Sequence, residues 1–165
     1  MPISIDELHQ CSYQTKEVPY MRISEIDLQC EDIMWFAVDS NGNVFECTSA
    51  GCGNVPEYVC KSREDTECLL DYFMEKAPSI TTSTLQIPDE ENDLVDDVKI
   101  LSSKGVYCFD VTDYDKDDQY NRIAIPVNPL KVADLPLSIQ ALLSDHIYVG
   151  DVSKESSIKV SHAYS

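Results

Sequence analysis

Asp113, Asp115 and Asp117 alternate along one short run, which is the spacing of the first three ligands of a calcium-binding loop. The match ends there. Asp118 occupies the place where such a loop needs glycine for its sharp turn, and Ala124 the place where a bidentate glutamate closes the site. The run therefore reads as a solvated hairpin turn, with no metal expected. Cys47, Cys52, Cys60 and Cys68 follow one another with four, seven and seven intervening residues. Only the first pair fits the close spacing of a zinc knuckle, so no zinc site is expected among them and His9, His146 or His162. Cys52, between Gly51 and Gly53, has the adaptable backbone a nucleophilic thiol uses, but activation needs a nearby base. A turn flanked by glycines has a simpler reason in backbone packing. The same glycines are too sparse for a phosphate cradle, since no Gly-Lys-Ser/Thr follows. Thirty acids give no basis for singling out a catalytic carboxylate pair, and His162, in a strand-like run, reads as structural. No catalytic residue and no cofactor is expected, and the protein reads as a non-enzyme.

Elements that would position any of these groups are legible in places. Ile33 to Val38 reads as a strand, Asp39-Ser40-Asn41-Gly42-Asn43 as a tight reversal, and Val44 to Thr48 as the returning strand. A small-residue loop, Ser49 to Pro56, leads to a helix whose start is marked by Ser62 and Asp65, a variant of the reciprocal capping box. Thr66, Leu69, Leu70 and Phe73 then share a helical face, and the helix stops near Lys76, before Pro78. Residues 79–97 read as a flexible acidic loop. Gly105 to Val111 and Arg122 to Val127 pair as strands, Pro136 to Ser144 forms a short helix, and Ile158 to Tyr164 closes as a strand. Hairpins separated by single helices predict an α+β fold. Residues 1–165 make a single domain, a mainly antiparallel sheet with two or three helices packed on one face.

Thirty acids against twelve bases give a formal charge of −18. That exceeds the net charge of about 2–8 that solubility asks of a small domain, so self-repulsion is a cost that a partner can offset. A phosphate backbone or an anionic membrane would be repelled, and a basic protein attracted. Met1 to Cys30 lacks a positive start followed by an apolar run, so no signal peptide is expected. The longest apolar run, Ile33 to Val38, is far short of a membrane span of about 18 residues. Seven cysteines, an odd count, predict reduced thiols and a cytoplasmic location.

Trp35-Phe36-Ala37-Val38-Asp39, Gly42, Thr48-Ser49-Ala50-Gly51, Gly53 and Val55-Pro56 form a pattern that resembles uncharacterised bacterial proteins similar to the immunity proteins of contact-dependent and polymorphic toxin systems. The resemblance spans Asp32 to Phe73. It implies a cytoplasmic inhibitor that occupies or blocks a toxin nuclease, and carries no catalytic residue with it. The charge is compatible with that, because many nuclease toxins must be basic to hold nucleic acid and an acidic inhibitor would meet them with steered association. The expected partner-binding residues are the two acidic runs, Asp89, Glu90, Glu91, Asp93, Asp96 and Asp97, and Asp113, Asp115, Asp117 and Asp118. Two alternatives stand beside it. A DNA mimic would inhibit a nucleic-acid-binding enzyme, and an enzyme would use Cys52 or a carboxylate pair.

Overall fold

A computed structural model describes residues 20–86, 93–111 and 115–164. Five α-helices and six strands are found among them: α1 Glu25–Cys30, β1 Met34–Val38, β2 Val44–Thr48, α2 Glu57–Cys60, α3 Arg63–Asp71, β3 Ser83–Leu85, α4 Asp93–Ser103, β4 Tyr107–Asp110, β5 Gln119–Pro126, α5 Leu137–Leu142 and β6 Ser157–Lys159. The strands form one sheet in the order β1-β2-β4-β5-β3, with β6 also pairing β5. Four of the five pairings are antiparallel, and β2 with β4 is parallel. The fold is α+β, a single domain with a mainly antiparallel sheet, as the hairpin-and-helix pattern predicts.

The hairpin forms where alternation and turn chemistry coincide. Gly42 takes φ +80, while the Asp39 Oδ1 accepts from the amides of Asn41 and Asn43 at 2.9 Å each. The same carboxylate reaches outside the hairpin, its Oδ2 accepting from Val152 N at 3.0 Å. Asp39 thus ties the turn to the C-terminal segment and is itself buried.

Side-chain alternation along the strands supplies two cores rather than one. Trp35, Phe45, Cys47, Tyr107, Phe109 and Tyr120 face one way, under Leu28, Val59, Val152 and Ile158. Phe36, Val38, Val44, Cys108 and Ile123 face the other, under Leu69 and Phe73, Val98 and Leu101, and Ile139 and Leu143. Helices α3, α4 and α5 therefore cover one face, while α1, α2 and the C-terminal segment cover the other. Phe36 stacks on Phe73 with ring centroids 4.6 Å apart.

Local details depart from the sequence reading. Ser62 Oγ accepts from Asp65 N at 3.1 Å, but Asp65 does not reach back, and its Oδ1 is buried without a partner. The complete reciprocal cap lies earlier, between Ser24 and Asp27. The last turn of α3 widens to a π-turn over Tyr72–Lys76, and Lys104 Nζ caps it through the carbonyls of Phe73 and Met74 at 2.6 and 2.7 Å. Residues 79–97 are not one loop. Ser83–Leu85 pairs with β5 because its backbone finds the free edge there, and the run from Asp93 is the first half of α4, whose Val98 and Leu101 anchor it on the sheet. The last strand is shorter than expected and ends at Lys159. Cys30, Cys47, Cys52, Cys60 and Cys108 are free thiols. None of the helices formed by the described residues is long and apolar enough to cross a membrane.

The outer edge of β1 is closed by an unusual device. Val38 N donates to His146 O and Tyr148 N to Val38 O, both at 2.9 Å, and one step along the strand the His146 ring takes over, its Nδ1 lying 2.8 Å from Phe36 O. The ring packs against Tyr58 with centroids 4.9 Å apart. Burial pushes its pKa down to about 4, although the Phe36 carbonyl works against that shift. A neutral imidazole with its Nδ1–H donated to Phe36 O fits the contact. Because the folded pKa lies below the ordinary 6.5, the unfolded chain binds the extra proton, and the stability this group supplies is full above pH 6.5 and lost as pH falls toward 4. The loss expected across that window is on the order of 3 kcal/mol. Denaturant midpoints of the wild type and His146→Asn, compared between those pH values, should show a steeper acid decline in the wild type.

Candidate functional site

Parallel pairing of β2 with β4 puts Glu46 opposite Cys108 and Thr48 opposite Asp110. Side chains two apart share a sheet face, so Glu46, Thr48, Cys108 and Asp110 all point toward the side covered by α4. Glu46 is 0% exposed. Its Oε1 accepts from Thr48 Oγ1 at 2.5 Å, and the Cys108 thiol lies beside the carboxyl. Burial holds the Glu46 carboxyl well above the usual range. Thr48 opposes this, and the nearby charges of Asp110, Asp32 and Asp97 add to it. Asp110, half-buried at the end of β4, carries a buried oxygen, Oδ1, without a partner. Its pKa is pushed up to about 6, chiefly by burial, against the Val111 amide and with help from Asp32. Asp32 is exposed, and its Oδ1 accepts from Ala50 N at 2.8 Å.

Near this pair lie described members of both acidic runs, Asp97 beside Glu46 and Asp117 beside Cys52, which Asp110 also faces. After α4 the chain reverses at Gly105 into β4, so the start of α4 returns to the end of β4, and Cys108 Sγ lies 4.0 Å from Val98 O. Asp96 is exposed and Asp97 half-buried on α4, and Asp97 is close enough to raise the Glu46 pKa. Asp115, Asp117 and Asp118 are exposed beyond the end of β4. Asp117 O accepts from Asn54 N and Asp118 O from Val160 N, each at 2.8 Å, which fixes that turn against the Gly51–Pro56 loop and the C-terminal segment. The backbone of Asp93 opens α4. Asp89, Glu90, Glu91 and Asp113 lie outside the described residues. The result is one acidic end, built from the carboxyl ends of β2 and β4, the first half of α4 and the turn before β5.

Basic side chains are largely engaged elsewhere. Arg22 pairs with Glu57, Lys61 with Asp145, Arg63 with Asp27 and Glu31, and Lys76 with Asp71. Lys131 Nζ donates to Asn43 Oδ1 at 2.6 Å, and Arg122 to Val152 O at 2.8 Å. These cations secure the scaffold.

The thiol chemistry considered for Cys52 meets an unfavourable field. Its Sγ donates to Ser49 O at 3.6 Å, and desolvation together with Asp117, Asp110 and Asp32 raises its pKa, so the thiolate is disfavoured. Cys47, Cys60 and Cys108 are buried, and burial raises each of them too. The glycine beside Cys52 has a packing reason, because a Cβ on Gly53 would come within 2.6 Å of Tyr120 Oη. That hydroxyl donates to Asn54 O at 2.7 Å and pins the loop. Among the described residues, no group of three or more His, Cys, Asp or Glu side chains is placed to hold a metal ion. An apolar cleft of about 310 Å³ lies away from the acidic end, lined by Tyr72, Ile80, Leu130 and Leu135, with Lys104 and Asp134 its only ionic groups.

Sequence reasoning singled out the two acidic runs and did not single out Glu46, Asp110 or Asp32. The available signal was a single carboxylate inside an otherwise apolar strand, Val44 to Cys47, which must be buried if both faces of the sheet are covered. Comparison with family models, with curated proteins and with solved structures returns no match to this chain.

Glu46 generates a test with a definite sign. A folded pKa above the ordinary 4.5 means that its stabilising share is present below 4.5 and is lost as pH rises through the folded value. Glu46→Gln, which keeps an acceptor for Thr48, should be more stable than the wild type at neutral pH. The difference should shrink to little as pH approaches 4.5 in paired denaturant titrations; a difference independent of pH would contradict a neutral, buried Glu46.

Proposed function

We propose that this chain is an acidic protein-binding inhibitor, an immunity protein that neutralises a cognate basic toxin, with a nuclease as the toxin class its charge fits best. The observation that supports the reading is the placement of described acids from both runs, Asp97 near Glu46 and Asp117 near Cys52, around the end of β4, on a scaffold whose bases are mostly engaged elsewhere. Nucleases must be basic to hold a phosphate backbone. An inhibitor presenting the opposite sign gains rapid, steered encounter and discriminates against acidic competitors. The exposed acids at the rim, Asp96, Asp115, Asp117 and Asp118, act mainly on association rate, because solvent and salt screen them. This role places the protein in the cytoplasm, where a toxin that attacks nucleic acid must be met.

A DNA mimic would need carboxylates spread along a duplex-like length, about one charge per 1.7 Å of axis. Acids gathered at the end of a sheet fit a local protein interface better.

Capture from the native host with the immobilised full chain should retain a basic protein. Its association rate should fall by about tenfold or more between low and physiological salt while dissociation changes little. Recovery of no basic partner, or association indifferent to salt, would sink the proposal.

A further inference from the structure

We propose that the extended segment 145–149 is a docking edge, onto which a basic partner adds an extended strand through backbone hydrogen bonds to Ile147 and Val149. This surface stands apart from the acidic end. Val38, beside the edge, pairs with Val44 at the start of β2, whereas the acids gather where β2 and β4 finish.

The register shows which way the segment faces. Val38 and Ile147 form a parallel bridge, in which Val38 makes both bonds, to His146 O and from Tyr148 N. In such a ladder the residue opposite turns its own N–H and C=O away from the strand it faces. Ile147 therefore points its backbone outward. Among the described residues neither its amide nor its carbonyl makes a hydrogen bond, and the same holds for Val149. The segment that closes β1 thus moves the open edge of the sheet outward instead of ending it.

Side chains agree with that placement. His146 is buried and Tyr148 packs on the aromatic core, while Ile147 and Val149 are 52% and 86% exposed. Ile, Tyr and Val suit an extended strand. Open sheet edges are commonly guarded by lysine or proline, which discourage further pairing. Residues 146–150 contain neither. At the far side of the sheet, β3 offers only Ser83, Thr84 and a half-buried Leu85.

Charge selects the occupant. A second copy would bring its own charge of −18, so pairing of two such edges is opposed. Asp145 and Asp151 bracket the edge, paired with Lys61 and, at 3.9 Å, with Lys154. Such surface pairs are held weakly and exchange for an incoming base. The fitting occupant is a strand with apolar residues at its centre and a base at each end.

The probe is the end-blocked heptapeptide Arg-Val-Thr-Val-Thr-Val-Arg, titrated into the isotope-labelled full chain and followed by amide exchange in NMR spectra. Exchange of the Ile147 and Val149 amides should slow by about tenfold or more at saturation. Two further peptides carry N-methyl groups on alternate residues, one along each backbone edge. Strand addition uses a single edge, so one should bind about tenfold more weakly and the other within about threefold of the parent. Val149→Lys, at an exposed side chain, should weaken the parent peptide by about fivefold or more, whereas Asp117→Asn should leave it within about twofold. Equal binding of the two methylated peptides, or unchanged exchange at Ile147 and Val149, overturns the inference. Protection of these amides in the free chain overturns it as well. Protection that grows with protein concentration assigns the edge to a second copy, and protection independent of concentration assigns it to another part of this chain.

Discussion

The parallel seam between β2 and β4 decides the rest of this molecule. Each hairpin, β1 with β2 and β4 with β5, can be closed by neighbouring residues. A parallel join cannot, because the chain must travel from the end of β2 back to the start of β4 before the strands can pair. The connection occupies residues 49–106 and holds α2, α3 with its π-turn, β3 and α4. Much of the second core is therefore a product of the seam: Leu69, Phe73, Val98 and Leu101 all arrive on the crossing segment.

The seam also fixes the electrostatics. Its register sets Glu46 beside Cys108 and Thr48 beside Asp110, on the face that α4 then covers. A carboxylate removed from water with no cation beside it is costly to keep charged, so burial holds the Glu46 pKa well above its ordinary value. Asp110, nearer the strand end, remains able to ionise near neutrality. Crossing back through α4 delivers Asp96 and Asp97 to the same end, and the turn before β5 delivers Asp115, Asp117 and Asp118. The concentration of like charge follows from topology, with no local attraction to assemble it. Its repulsion is a standing cost that a cationic partner would relieve.

Around the seam, short polar contacts hold segments that have little apolar surface of their own. Asp39 serves the hairpin turn and the C-terminal segment with one carboxylate, Tyr120 pins the glycine loop, and His146 occupies the edge of β1 that would otherwise be open to a further strand. These contacts matter because the C-terminal third contains only short regular elements after β5.

The sequence by itself determined the elements whose signals are local. The Asn41-Gly42 turn with its flanking alternation, the Ser62 cap with Leu69 and Phe73 at helical spacing, and the β4–β5 pair all rest on interactions between residues close along the chain. The excess of acid was equally plain from counting. What the sequence left undecided required long-range placement. Residues 79–97 look like a linker because their acids mask the apolar Val98 and Leu101 that follow, and only the sheet surface gives the start of α4 a reason to be helical. Glu46 and Asp110 do not stand out among thirty acids until a parallel pairing, which local sequence does not encode, puts them on one face of neighbouring strands. Burial then changes their chemistry, because the charge state of a carboxyl depends on what surrounds it in space.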